Sequence, residues 1–335
     1  MNPTIATRTP PPRPRSALTA FTSTWASQIG ITVAFCALWL AFIVLAPTTF
    51  LSDRIYLSFA QTTPYFGVVA MFLTMVIISG DIDLSFPSEM ALGMVGFVFA
   101  WQATGSVELG ILAALGVGAL AGLFNGLVVT YVGIPSLVVT IGTQFLFLGL
   151  TLVLVNGKNY ALVTTSTAPS YQLLVGKLGG IIPMEFVWLL VLAVVAWVLL
   201  NRHRLGQNAY VIGDNPLAAG LMGIPIRQTR ILLFVFTGVA AALAGLMISL
   251  QIVNFYPSMG SGFLLPTLAA VFVGGTSVFG GRGSVYGTFL GAFMIGAIQA
   301  GIVAVGLTDY YTNLFYGAVV LAAVSVHAVL QRRFE

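Results

Sequence analysis

The chain has 335 residues, of which 58% belong to the hydrophobic class and only 7% are charged. A soluble domain carries roughly a quarter charged residues, so this composition excludes one and specifies an integral membrane protein. The formal net charge of +4 comes from basic residues scattered at the ends of apolar runs, which excludes a clustered nucleic-acid-binding face.

Residues 1–27 are rich in Pro, Ser and Thr and carry Arg8, Arg13 and Arg15, a composition that predicts a disordered tail. About 20 apolar residues cross a bilayer core. On that measure ten segments follow, at 28–47, 63–79, 86–103, 107–131, 136–155, 183–200, 230–252, 264–280, 284–304 and 312–330. The second, third and eighth are short enough to be broken or re-entrant. The expected fold is an all-α polytopic membrane protein with a single transmembrane domain over 28–330 and a short tail at 331–335. Cys36, the only cysteine, lies inside the first run, where it cannot form an internal disulfide and packing is its expected role.

Orientation follows from the excess of Lys and Arg in cytoplasmic loops. With the N-terminus inside, Arg8, Arg13, Arg15, Arg202, Arg204, Arg227, Arg230, Arg282, Arg332 and Arg333 are cytoplasmic, ten of the thirteen basic residues. Only Arg54, Lys158 and Lys177 fall outside, with Asp53, Glu108, Glu185 and Asp309 at the same outer face. Both termini are therefore expected in the cytoplasm. The longest outer connection, 156–183, is too polar for a span, while Leu173, Leu174 and Val175 predict a piece lying on the surface. It is either a passive connector or a docking surface for an extracytoplasmic partner.

Two apolar runs are interrupted. The first interruption, Ile78 to Gly93, contains Asp81, Asp83 and Glu89. An ionised side chain at mid-bilayer costs roughly 3 kcal/mol, so these acids must be paired, face a wet cavity or sit at an interface. Gly80 and Pro87 fit a broken helix there, and Asp83 with Ser85 fits an N-cap region. The second interruption, Gly274 to Gly287, carries many glycines and one charge, Arg282, and predicts a tight turn; a salt bridge from Arg282 to Asp81 or Asp83 is one expectation. Together they supply the pathway or gating candidates Asp81, Asp83, Ser85, Glu89, Gly274, Gly275 and Arg282. Small residues at Gly116, Gly118, Ala119 and Gly122, and again at Gly287, Gly291 and Gly296, predict close helix packing. Asn125, Gln144, Asn254 and Gln299 are expected to form interhelical hydrogen bonds.

The polar loop 201–229 encodes a short helix: Asn215 suits the N-cap, Pro216 the first turn and Gly223 the position just past the end. Leu217 and Leu221 give it one apolar side, either to lie on its own protein or to be presented to a cytoplasmic partner. Nothing in the chain predicts an enzyme site or a metal. His203 and His327 lie far apart without partners at metal-ligand spacing. The motif GxxxxGK[ST] does not occur, since Lys158 and Lys177 are followed by Asn159 and Leu178. Uphill transport driven by ATP would therefore need a second chain.

Three stretches carry a family resemblance: SGDIDLS (Ser79 to Ser85), GDNPLAAGLMGI (Gly213 to Ile224) and LAAVFVGGTSVFGGRGSVYGTFLGA (Leu268 to Ala292). In them, and over nearly the whole chain from Trp25, the sequence resembles a permease subunit of bacterial ATP-binding-cassette importers, in the ribose and simple-sugar branch related to branched-chain amino-acid permeases. The resemblance implies a multi-span fold, commonly of ten helices, in the bacterial inner membrane. It also implies a second permease copy or paralogue, a cytoplasmic ATPase holding ATP and Mg, and a periplasmic substrate-binding protein, with no cofactor on this chain. The family's ATPase-coupling segment falls on Asn215, Pro216, Leu217, Ala218, Ala219, Leu221 and Gly223, and its IDLS element on Ile82, Asp83, Leu84 and Ser85. The chain departs from many relatives at Asp81, Phe86 and Pro87, and at Leu264 and Pro266. The alternative to an importer for a sugar or sugar-like solute is a proton- or sodium-coupled transporter using Asp81, Asp83 and Glu89. A passive channel or scaffold is a third class.

Overall fold

A computed structural model describes the backbone of residues 17–304, 306 and 310–332, and the side chains of 28–304, 306 and 310–325. Residues 1–16 and 333–335 of the expected tails lie outside the described residues, as do Asp309 and the side chains of His327 and Arg332. Helices dominate because a chain in lipid must satisfy its backbone groups internally.

The first helix, α1 (Ala17–Leu45), starts upstream of the apolar run expected from residue 28. The Pro-rich stretch ends at Pro14, and the Ala and Leu residues after it let a helix nucleated in the apolar run propagate backwards. A single turn, α2 (Pro47–Phe50), leads into α3 (Asp53–Thr62) and α4 (Pro64–Ile78). These last two meet at 51°, because Pro64 opens α4 without an N–H to continue the ladder of α3. Next come α5 (Phe86–Thr104), α6 (Val107–Leu127), which ends in a π-helical turn at Val128–Val132, and α7 (Ser136–Leu154).

The long connection 156–183 forms β1 (Tyr160–Ala161), α8 (Pro169–Val175) and a hairpin of β2 (Lys177–Leu178) with β3 (Ile182–Pro183). The surface piece expected at Leu173 to Val175 is the end of α8, with Leu174 and Val175 buried. The chain continues through α9 (Met184–Asn201), α10 (Arg204–Asp214), α11 (Pro216–Leu221) and α12 (Ile226–Gln251). Then β4 (Asn254–Phe255) pairs antiparallel with β1, Tyr160 opposite Phe255. The last helices are α13 (Leu264–Val273), α14 (Val285–Ala304) and α15 (Tyr310–Arg332), the last of which takes in residues 331 and 332 of the expected C-terminal tail.

Among the described residues six helices are long and apolar enough to cross a membrane, or seven if the bent pair α3–α4 counts as one span. The fold is thus all-α and polytopic. Each of the ten apolar runs contains a helix, but the eighth stops at Val273, well short of residue 280, because Gly274 and Gly275 end it. Exposed apolar side chains such as Val44, Leu120, Phe145 and Val194 suit contact with lipid.

At the centre stands α4, every residue of which is buried, packed by α9, α12, α13 and α14. At the nearby α6–α12 contact, Gly118 and Gly238 face each other so closely that a Cβ on either would strike the other's carbonyl oxygen. Gly122 meets the Phe234 carbonyl in the same way. Gly116, expected to share this packing role, has nothing within 4 Å of a Cβ placed there.

Candidate functional site

The helix α4 ends at Ile78, and Gly80, at φ +85°, turns the chain into an irregular stretch before α5. Within it Asp83 Oδ1 accepts from Ser85 N (2.9 Å) and Ser85 Oγ (2.6 Å). The Ser85 hydroxyl lies 3.0 Å from Glu89 Oε1, and Asn125 Nδ2 on α6 donates to Ser85 Oγ (2.7 Å) and Glu89 Oε1 (3.0 Å). All four side chains are fully buried. A second set of bonds ties the stretch to α7: Ile82 N donates to Ser136 Oγ (3.0 Å) and Thr140 Oγ1 to Ile82 O (3.2 Å).

Asp81 is buried too, and its partner is Arg230 on α12, with Nε 2.9 Å from Oδ2. The expected pairing of Asp81 or Asp83 with Arg282 is therefore incorrect. The Arg282 side chain is exposed, and its carbonyl closes its own turn by accepting from Ser277 N at 2.9 Å. A cavity of about 400 Å³ beside the pair is lined by Asp81, Ser136, Arg227 and Arg230.

The loop after α9 folds into two helices where the sequence revealed one. His203 caps α10, its Nδ1 accepting from Leu205 N at 3.1 Å, and Leu205, Ala209 and Ile212 form the buried side of that helix. For α11 the expected punctuation is in place. Asn215 Oδ1 accepts from Ala218 N at 3.0 Å, Pro216 occupies the first turn, and Gly223 has φ +75°. Ala219 is buried, whereas Leu217 and Leu221 are 83% and 92% exposed. The two leucines therefore do not lie against the rest of the protein.

Between α11 and α4 lies a junction built from backbone. A Cβ on Gly213, near the end of α10, would strike the Ile78 carbonyl oxygen and lie 2.6 Å from Gly281 N. Gly281 N in turn donates to Ile78 O at 2.9 Å. The Tyr210 hydroxyl donates to Gly283 O at 2.7 Å. Burial pushes that phenol up to about 12, so it stays a donor at physiological pH. On the other side of the turn, Gly274 sits against Gly287 and Thr288 of α14, with 2.6 Å from a built Cβ to Thr288 N. The ends of α4 and α10 and the glycine turn thus form one packed unit.

Residues 55–324 match the family described as branched-chain amino acid transport system / permease component. The chain belongs to this family. It is a multi-pass permease of the bacterial inner membrane. Among its relatives are three proteins named autoinducer 2 import system permease protein LsrD. That of Yersinia enterocolitica is 33% identical over 265 residues, covering 77% of this chain and 78% of the relative. That of Salmonella typhi is 32% identical over 273 residues (80% and 82%), and that of Photorhabdus temperata 32% over 283 residues (80% and 81%). No solved structure matches the chain.

In the permease, Asp83, Ser85 and Glu89 come together, and Asn125 joins them through the interhelical bonds expected of it. Gly274 and Gly275 belong to the neighbouring turn with Arg282, Gly274 buried and Gly275 exposed. Sequence reasoning missed Arg230 and Gly213. The one signal for Arg230 was its position at the start of an apolar run, facing an unexplained buried acid. Gly213 had none, because its neighbours lie far away in sequence.

Proposed function

We propose that this permease is the translocating subunit of an ATP-driven importer for a sugar or sugar-like solute. It has ten spans, contributed by α1, the α3–α4 pair, α5, α6, α7, α9, α12, α13, α14 and α15, and both termini are cytoplasmic. Three of these are not among the six or seven helices that meet the length and composition of a span: α5, which carries Glu89, α13, which has only 10 residues, and α15. The orientation rests on the order of segments in the sequence, which assigns ten of the thirteen basic residues to the cytoplasmic side. The working complex contains a cytoplasmic ATPase that binds ATP and Mg, a periplasmic substrate-binding protein and a second permease copy or paralogue.

The observation that carries this reading is the pair Leu217 and Leu221, exposed on a capped helix whose base is locked to the end of the central helix. A partner that grips α11 displaces Asp214, whose Cα would lie 3.2 Å from a Cβ built on Gly281, and through that turn the Ile78 end of α4. Asn215, Pro216, Ala218, Ala219 and Gly223 shape the knob, and the two leucines supply its contact surface. Asp81, Asp83, Ser85 and Glu89, with Gly274, Gly275 and Arg282, form the moving cytoplasmic closure.

The relatives' names make autoinducer 2 the first solute to test. In cells with the complete importer, uptake of autoinducer 2 persists when an uncoupler is added at constant ATP and stops when the ATPase is inactivated. Uptake that collapses with the uncoupler would contradict the importer and favour ion coupling through the acids.

A further inference from the structure

At the end of α4 opposite the glycine junction lies a second cavity, of about 690 Å³, within the ~300–1,000 Å³ typical of small-molecule sites. It is bounded by α2, α3, the start of α4, α13 and the turn before it, the end of α14 and the start of α15. In the proposed orientation it opens to the outside. Eight of its lining side chains carry hydroxyl or amide groups: Thr49, Ser58, Thr62, Tyr65, Gln299, Thr312, Asn313 and Tyr316. Interleaved with them are the rings of Phe59, Tyr65, Phe66, Phe263 and Tyr316. Among the described residues no Asp, Glu, Lys, Arg or His lines it. The cavity beside Asp81 differs in kind, since three charged groups face it.

We propose that this cavity, uncharged among the described residues, is the entry subsite for the transported solute, and that it takes a small neutral molecule bearing several hydroxyl or carbonyl oxygens. This rests on the importer reading given above. A carboxylate, ammonium or phosphate entering this space would lose its water without gaining an opposite charge, so amino acids and phosphate esters are disfavoured. A neutral polyol or hydroxyketone meets donors and acceptors on one side and ring faces on the other. Within the wall, the Thr312 hydroxyl oxygen is buried and has no hydrogen-bond partner, so a group awaits one there. Gln299 is held at the cavity through its Oε1, to which the Tyr316 hydroxyl donates at 3.4 Å. An acyl chain or a neighbouring apolar helix in this space would leave the buried Thr312 hydroxyl without a partner.

The cavity is also placed to report its occupancy. Tyr65 and Phe66, in the first turn of α4, line it, and Tyr65 packs edge-on against Phe263 with ring centroids 6.4 Å apart. The other end of the same fully buried helix carries the junction with α10.

The test uses the complete importer in cells. Thr312→Val and Gln299→Leu each lower autoinducer 2 uptake roughly five- to tenfold, the effect of one lost hydrogen bond, and Ser58→Trp, which fills the space from the exposed side of α3, abolishes it, all at unchanged membrane levels. In a Cys36→Ser background, Asn313→Cys is labelled from outside by an impermeant maleimide, and autoinducer 2 or ribose slows that labelling while leucine does not. Protection by leucine overturns the proposal. So does labelling unaffected by either neutral solute in an importer that still transports one of them, which is the outcome expected if lipid or the second permease fills the space. Absence of ATP-dependent uptake by the unsubstituted importer would overturn the importer reading together with the site.

Discussion

The two ends of α4 are built on opposite principles. At Ile78 the helix runs into backbone: Gly213 and Gly281 press against its last carbonyl, and buried acids are held by Ser85, Asn125 and Arg230. At Tyr65 it opens on a cavity of about 690 Å³ lined by uncharged hydrogen-bonding groups and rings. The closed end leaves no room for even a Cβ at Gly213, so its elements meet backbone to backbone. The open end has room for its lining to change when the helix moves. One fully buried element of 15 residues therefore joins the backbone junction to a solute-sized space, over a length of about 22 Å at 1.5 Å per residue.

Breaking the closed end has the largest effect. Gly213→Ala puts a methyl group into the Ile78 carbonyl and is expected to destabilise the permease by about 3 kcal/mol, the upper range for overpacking. Thermal unfolding in detergent measures this, with Gly116→Ala as the reference. Nothing lies within 4 Å of a Cβ at Gly116, so that change stays within about 0.5 kcal/mol. Equal effects of the two substitutions would remove the junction from the account.

Much of this contrast is written in local sequence, and the rest is not. The caps of α11, the break at Gly80 and the end of α13 at Gly274 are legible because each depends on a few consecutive residues with fixed conformational preferences. The helix α10 is amphipathic but short and lies between polar residues, so its apolar side is hidden in a loop-like composition. The bend between α3 and α4 depends on Pro64, which in the sequence reads as the start of a span. The Asp81–Arg230 pair and the contact of Gly213 with Ile78 join residues from different elements, and no periodicity records such a meeting. The outer cavity is harder still to read, because its lining is contributed by α2, α3, α4, α13, α14, α15 and a turn.

A smaller effect sharpens the contrast at the closed end. Asp81→Asn and Arg230→Met, combined in a double-mutant cycle of stability, should show a coupling of about 1 kcal/mol, modest because Arg230 is partly exposed. Asp81→Asn combined with Arg282→Ala should be additive within error. Coupling to Arg282 and none to Arg230 would reverse the assignment of this pair.

The central claim is that α11 receives the force and α4 carries it. Leu217→Asp with Leu221→Asp alters two side chains that are almost wholly exposed, so the permease should reach the membrane at its normal level. Co-purification of the ATPase subunit with the tagged permease tests the claim directly. The account predicts that the ATPase is lost from the double variant, and retention of the ATPase at the level of the unsubstituted protein would contradict it.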